Sequence, residues 1–352
     1  MDTVNTPPEQ TAETRETRAR FGPLILALQT SALVAAALLT TVAVAVLVPD
    51  DGDYAKASVL KHGLLAEDVP RKIVLVGGSN LSYGTDSLVI QEQTGCPVVN
   101  MGMNGYFGVR FMMEEVKPYL KAGDIVVIAW EYDSFYKSVD GTNTDLLMVT
   151  KANPKTFSAL TLEQKLSVIS RYPYVAQQKA IRLVGEAYEG LGALISPDAP
   201  SEETIDILTV EGYSSFSPRG DLTGHLDLTW PGPIESGDDI SNLPMDQEIL
   251  PLMQDFIREM EEKDVRVMIS WTPIIEDFYA QHKDEIERLN AQMDATPGFL
   301  IPRPARDFVF PQSQHFDTAY HLNAEGRAIR SRMVADDIET QFGDDALCDR
   351  QP

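Results

Sequence analysis

Lys72-Ile73-Val74-Leu75-Val76-Gly77-Gly78-Ser79-Asn80 is the stretch whose reading decides the fold. A short run of aliphatic, mostly β-branched residues closed by a turn signal reads as a buried strand, here Lys72–Val76. The Gly77-Gly78 pair ends it and lets the backbone turn sharply, so Ser79 projects at the carboxyl end of the strand.

Working outward, the same rhythm repeats. Asp86–Thr94 reads as a helix stopped by Gly95, Val98–Met101 as a second strand, Phe107–Leu120 as a helix and Asp124–Trp130 as a third strand. Met245–Lys263 then reads as a helix, Val265–Ser270 as a strand, Ile275–Met293 as a helix, Phe299–Ile301 as a short strand and Asn323–Phe342 as a closing helix. Strands alternating with helices imply an α/β domain with a parallel sheet covered on both faces. Active sites in such sheets gather where strands end and helices begin.

The expected organisation is a tail at 1–22, a transmembrane anchor at 23–48, a linker at 49–70, the α/β domain in two parts (71–133 and 245–343), and a tail at 344–352. Between the two parts, 134–244 breaks the rhythm. It holds helix-like pieces at Leu162–Arg171 and Val175–Leu191, then a run rich in Pro, Gly, Ser and Asp from Pro197 to Pro244. It reads as an insertion or lid, since long irregular segments in compact domains are often functional covers.

Leu24–Val48 carries no charged residue and is long enough to cross a bilayer, which takes about 20 apolar residues. Arg15, Arg18 and Arg20 precede it and Asp50, Asp51 and Asp53 follow, so the N-terminus is expected inside and the rest exported. Ala43-Val44-Ala45 resembles a signal-peptidase site, which leaves a cleaved signal as the competing reading. The formal net charge of −24 repels phosphate backbones and argues against a nucleic-acid partner. The two cysteines, Cys96 and Cys348, form no metal or dithiol motif. Beside the apolar Pro97–Val99, Cys96 reads as a small buried thiol, while one disulfide stays open outside the cytoplasm.

Three clusters carry chemistry. Ser79 becomes a nucleophile if a base takes its proton. Phe316-Asp317-Thr318-Ala319-Tyr320-His321-Leu322-Asn323, just before the last helix, supplies a base and its orienting carboxylate. Asn100-Met101-Gly102-Met103-Asn104-Gly105, after the second strand, offers donors for an oxyanion: the N–H groups of Ser79 and Gly102 and the side chain of Asn104. Asn80, Asn100, Glu131, Tyr132, Asp133 and Trp271 are expected to line the site. Trp130, Phe135 and Tyr136 read as core or cleft wall, and His62, His225 and His282 as surface or structural.

A serine after the first strand, N-x-G after the second and Asp…His before the last helix resembles the SGNH (GDSL-like) hydrolase family. Gly77–Ser87, Glu131-Tyr132-Asp133 and the D-x-x-x-H-L-N ending are similar to its bacterial cell-surface branch, which includes the D-alanyl-transfer protein of teichoic acid synthesis and alginate O-acetylation proteins. The resemblance covers roughly residues 70–135 and 264–340. It implies a three-layer α/β/α flavodoxin-like fold and a triad of Ser79, His321 and Asp317 that needs no cofactor. It implies an acylated carbohydrate or envelope glycan as substrate and a membrane-bound O-acyltransferase as partner. The chain departs from the family pattern where Gly78 replaces the Asp of G-D-S and where Trp130-Glu131-Tyr132-Asp133 replaces G-x-N-D, whose asparagine donates to the oxyanion. A carboxyl group donates only when protonated. The Asp…His spacing is also one residue longer than the usual D-x-x-H.

Three other readings compete. His315, Asp317 and His321 could ligate a divalent metal with Asp133 or Glu131. Val76–Asn80 could cradle a phosphate, although neither G-x-G-x-x-G nor G-K-[ST] accompanies it. Finally, the chain could be an accessory or scaffold protein of an envelope polysaccharide acylation complex.

Overall fold

The computed structural model describes residues 12–48, 52–195, 210–343 and 348. The rest of both expected tails and residues 196–209 of the insertion lie outside the described residues. The helices are α1 (Ala12–Leu47), α2 (Ala57–Leu65), α3 (Ser79–Gly84), α4 (Ser87–Thr94), α5 (Val109–Glu114), α6 (Asn143–Ala152), α7 (Leu162–Ser170), α8 (Tyr172–Ile195), α9 (Ile249–Glu262), α10 (Glu276–Gln281), α11 (Lys283–Asp294) and α12 (Ala324–Phe342). The strands are β1 (Ile73–Gly77), β2 (Val98–Asn100), β3 (Ile125–Ala129), β4 (Arg266–Ile269), β5 (Ile274–Ile275) and β6 (Val309–Phe310).

The chain is a mixed α/β protein. Strands β1 to β4 form a parallel sheet in the order β2-β1-β3-β4. Alternation along the strands puts Ile73, Leu75, Ile125, Val127 and Met268 on one face, packed with Ile90 of α4 and with Val334, Ala335 and Ile338 of α12. Val74, Val76, Val126 and Ile128 are equally buried and point to the other face, where α5 contacts β1 and α9 contacts β4. Burial on both faces is why these strands read as continuous aliphatic runs rather than alternating ones. From β1 the chain moves outward to β2 and later returns to β3 on β1's other side. That reversal opens a crevice at the carboxyl ends of the strands, and Ser79 stands there.

Several expectations are corrected. Phe299–Ile301 is not a strand: only the Leu300 carbonyl accepts a β4 amide, from Ile269 at 2.9 Å. The short parallel pair β5–β6 takes that side of the fold. The helix expected over Phe107–Leu120 shrinks to α5 between two 3-10 turns, the second containing Pro118, whose ring cannot continue a helix. The helix expected over Ile275–Met293 breaks at His282 into α10 and α11. Within the expected linker, α2 supplies helical structure and buries Ala57, Lys61, His62, Leu64 and Leu65. Residues 12–22, expected as tail, continue α1. His62, His225 and His282, expected as surface or structural, are all buried, which leaves the structural reading. Cys96 is no free thiol but is joined to Cys348 in a disulfide.

The described residues fall into two compact units. One holds α1 and residues 170–195, so the middle of the expected insertion groups with the N-terminal helix. Within this unit Pro23–Leu47, with a mean hydropathy of 2.2, is long and apolar enough to cross a membrane, a property that signal sequences share. Lys179 of α8 donates to the Ala45 and Val48 carbonyls, which helix geometry leaves without intrahelical partners at the end of α1. The second unit holds the sheet and the remaining residues.

Candidate active site

The second unit brings Ser79, His321 and Asp317 together, although 242 residues separate the serine from the histidine. Ser79 is the first residue of α3, directly after the Gly77-Gly78 turn, and is partly exposed. His321 and Asp317 lie on a tight turn before α12. The Phe316 amide donates to the His321 carbonyl at 2.8 Å, and His315 bridges Leu322. This closure absorbs the extra residue of the D-x-x-x-H spacing. Asn323 anchors the turn from below, its Oδ1 accepting from the Glu325 and Gly326 amides while its Nδ2 donates to the Ser313 carbonyl at 2.7 Å.

His321 Nδ1 stands 2.7 Å from Asp317 Oδ1, and Nε2 stands 2.8 Å from Ser79 Oγ. An ionised carboxylate only accepts, so the proton sits on Nδ1 and Nε2 is free to accept from the serine hydroxyl. The imidazole lies flat on the Tyr83 ring, with centroids 3.8 Å apart and planes 3° apart. Tyr83 is pinned in turn by its hydroxyl, which donates to Glu211 at 2.6 Å. His225 packs against Tyr83 and holds its Nε2 3.1 Å from the Leu322 carbonyl. Burial first, and then the Arg327 charge, push His225 down to about 3, so it serves as a neutral wedge.

Ser79 and His321 open into a cleft of about 720 Å³. Of the expected lining residues, Glu131 and Asp133 reach it, as does Asn104. The others are placed elsewhere. Asn80 is fully buried, with Nδ2 on the Ala129 carbonyl and Glu131 and Oδ1 on Arg330. Asn100 braces the turn around it, donating to the Leu81 carbonyl and Asp221 and accepting the Gly102 N–H at 2.9 Å. Tyr132 and Trp271 stack on each other in the core at 5.6 Å. Of the three expected oxyanion donors, Gly102 therefore spends its N–H on Asn100, and Asn104 gives one of its two amide N–H groups to Asp145 at 3.1 Å. The Ser79 N–H, first of its helix, has no intrahelical acceptor and remains available.

Sequence reading missed what the 134–244 segment brings. The Glu235 amide donates to the Asp317 carbonyl and the Ala319 amide donates to the Glu235 carbonyl, both at 2.8 Å, so this stretch is stitched to the Asp–His turn. It carries Asp238 into the cleft, where Lys137 bonds both Asp133 at 2.6 Å and Asp238 and lies over the Tyr106 ring. Burial pulls the Lys137 ammonium down, but the two carboxylates more than offset it and hold it above its usual range. Asp133 is raised by burial, against the pull of Lys137. No local motif announces these residues, since their roles come from long-range contacts.

His315 is buried, with Nδ1 3.2 Å from the Pro311 carbonyl, and burial pushes it down to about 4. Among the described residues no group of three or more His, Cys, Asp or Glu side chains is disposed to hold a metal. No protein-family model matches the chain, and no curated protein matches its sequence.

Proposed function

We propose that the chain is a membrane-anchored, extracytoplasmic serine esterase or O-acyltransferase with an SGNH-type α/β/α fold, acting on an acylated envelope glycan. The observation that carries this reading is the hydrogen-bonded line from Ser79 Oγ through His321 to Asp317, opening on a cleft. The resemblance of the Gly77–Ser87 and Asp317–Asn323 segments to that family supports it further. The Cys96–Cys348 disulfide supports export, since such bonds persist in oxidising compartments. The anchor reading is supported by the 25-residue apolar span Pro23–Leu47, longer than the h-region of a signal peptide.

The chemistry runs in two halves. Ser79 Oγ attacks the ester carbonyl carbon as His321 Nε2 takes its proton, and Asp317 orients the ring and stabilises the imidazolium. Negative charge on the former carbonyl oxygen faces the Ser79 N–H. The tetrahedral adduct collapses, the carbon–alkoxy oxygen bond breaks, and His321 returns the proton to the leaving alcohol. Water or a sugar hydroxyl then attacks acyl-Ser79, giving its proton to His321, which passes it back to Ser79. Asp133, Glu235 and Asp238 outnumber Lys137 along the cleft, so electrostatics favour an uncharged acyl-sugar over a polyanionic segment.

The test is release of acetate or p-nitrophenol from simple acyl esters, together with fluorophosphonate labelling of Ser79. Ser79→Ala and His321→Ala are expected to lower turnover by about 10³-fold or more, and Ser79→Ala to abolish labelling. A folded wild type with neither turnover nor label is the behaviour of an accessory protein. A membrane-bound O-acyltransferase is the expected acyl donor if sugar acceptors outcompete water.

A further inference from the structure

Glu131 lies in the Trp130-Glu131-Tyr132-Asp133 segment that follows β3, where the family pattern has G-x-N-D. It is 4% exposed, yet it borders the same cleft as Ser79 and His321. Its carboxyl group is wedged between two turns that lack side chains. A Cβ on Gly78 would fall 2.3 Å from Oε2, and one on Gly105 would fall 3.1 Å from it. The group thus lies between the serine turn and the turn after β2, the two elements that bound an oxyanion site.

The two oxygens are treated differently. Oε1 accepts twice, from the Asn80 amide at 3.1 Å and from Asn80 Nδ2 at 2.8 Å. Oε2 is buried and has no partner among the described residues. The Asn80 orientation is fixed, because its Oδ1 and backbone carbonyl accept from Arg330 at 2.8 and 2.7 Å. Two accepted bonds on one oxygen and none on the other is the pattern of a carboxylic acid: a saturated carbonyl and a free hydroxyl. An ionised carboxylate would leave a charged oxygen buried without a donor, which is costly.

We infer that Glu131 is a catalytic acid group held neutral, whose Oε2–H donates to the oxyanion formed on Ser79; this rests on the serine mechanism proposed above. A carboxylic acid thereby supplies the donor that this segment, lacking an asparagine, does not otherwise offer. The charged and titratable groups around it agree. Asp133, on its own segment, acts against ionisation, whereas Tyr54 and Tyr320 carry no charge, their own ionisation being pushed up by burial and by carboxylates that include Glu131. Arg330 of α12 favours it but reaches Glu131 only through Asn80. Burial raises the carboxyl above its ordinary range, so the donor persists above the usual carboxylate range and is lost as pH rises through the raised value.

The test uses the full chain in detergent. Glu131→Gln keeps one acceptor and one donor, so its ester turnover should stay within about tenfold of wild type and persist to higher pH. Glu131→Ala should lower kcat about 10²- to 10³-fold with little change in KM, as for loss of one oxyanion donor. Infrared difference spectra at neutral pH should show a protonated carboxyl band in wild type that is missing from Glu131→Gln. A folded Glu131→Gln protein as inactive as Glu131→Ala, or absence of that band, overturns the inference while leaving Ser79 labelled. A wild type unlabelled at Ser79 removes the serine mechanism and this inference with it.

Discussion

Gly78 and Glu131 occupy space that neither could share with a larger partner: a Cβ on Gly78 would fall 2.2 Å from Glu131 Oε1 and 2.6 Å from its carboxyl carbon. The residues at 78 and 131 are therefore coupled through the space they share. A bulkier residue before the serine is compatible only with a smaller one at 131.

Gly78→Ala should consequently displace the carboxyl, costing about 1–3 kcal/mol as overpacking does, and should lower ester turnover. Placing the same substitution in a Glu131→Ala background should cost much less, with a coupling of at least about 0.5 kcal/mol. Urea unfolding of the four proteins measures this. Additive costs would mean that the two residues do not share the space.

The Cys96–Cys348 disulfide ties the end of the chain beyond α12 to the start of β2. Cys348→Ser is expected to lower stability by about 2–5 kcal/mol. The urea midpoint of the wild type should fall by a similar amount under reducing conditions, while that of Cys348→Ser should not move. An unchanged wild-type midpoint in dithiothreitol would show that the tether contributes nothing.

Glu115 offers a pH prediction away from the site. It is buried, 3.7 Å from His62, and burial raises it to about 8 against the pull of Lys61. Between the ordinary carboxylate range and about pH 8 the native state keeps a proton that the unfolded chain has released. Glu115 therefore stabilises fully at low pH, and its contribution is lost as pH rises, by at most about 1.4 kcal/mol per unit. Lys61, lowered to about 7 by burial, produces the opposite slope above that value. His62, lowered by burial, also opposes it below its own ordinary value, so the effect is read over roughly pH 5–7 as the difference between variant and wild type, which both carry His62 and Lys61. There the stability difference between Glu115→Gln and wild type should grow with pH in urea melts. A constant difference would refute the buried neutral acid.

What the sequence determined by itself was whatever depends on neighbours along the chain. Ile73–Val76 and Ile125–Ala129 are aliphatic enough to be strands buried on both faces, Gly95 stops a helix in the left-handed region, and Asn323 caps the last helix. The residue types of a serine, a histidine and an aspartate at strand and helix boundaries were legible for the same reason. Only the tertiary structure decided which polar groups face the cleft. Gly102 was an expected donor and Asn100 an expected lining residue by local pattern, but Asp221, 121 residues from Asn100, draws the Asn100 side chain into the core, where it takes the Gly102 N–H. Glu131 looked unfit as a donor until Asn80, Arg330 and two missing Cβ atoms were placed around it. The physical reason is that a backbone preference is set within a turn of chain, whereas burial and hydrogen-bond saturation are set by whatever the fold packs alongside.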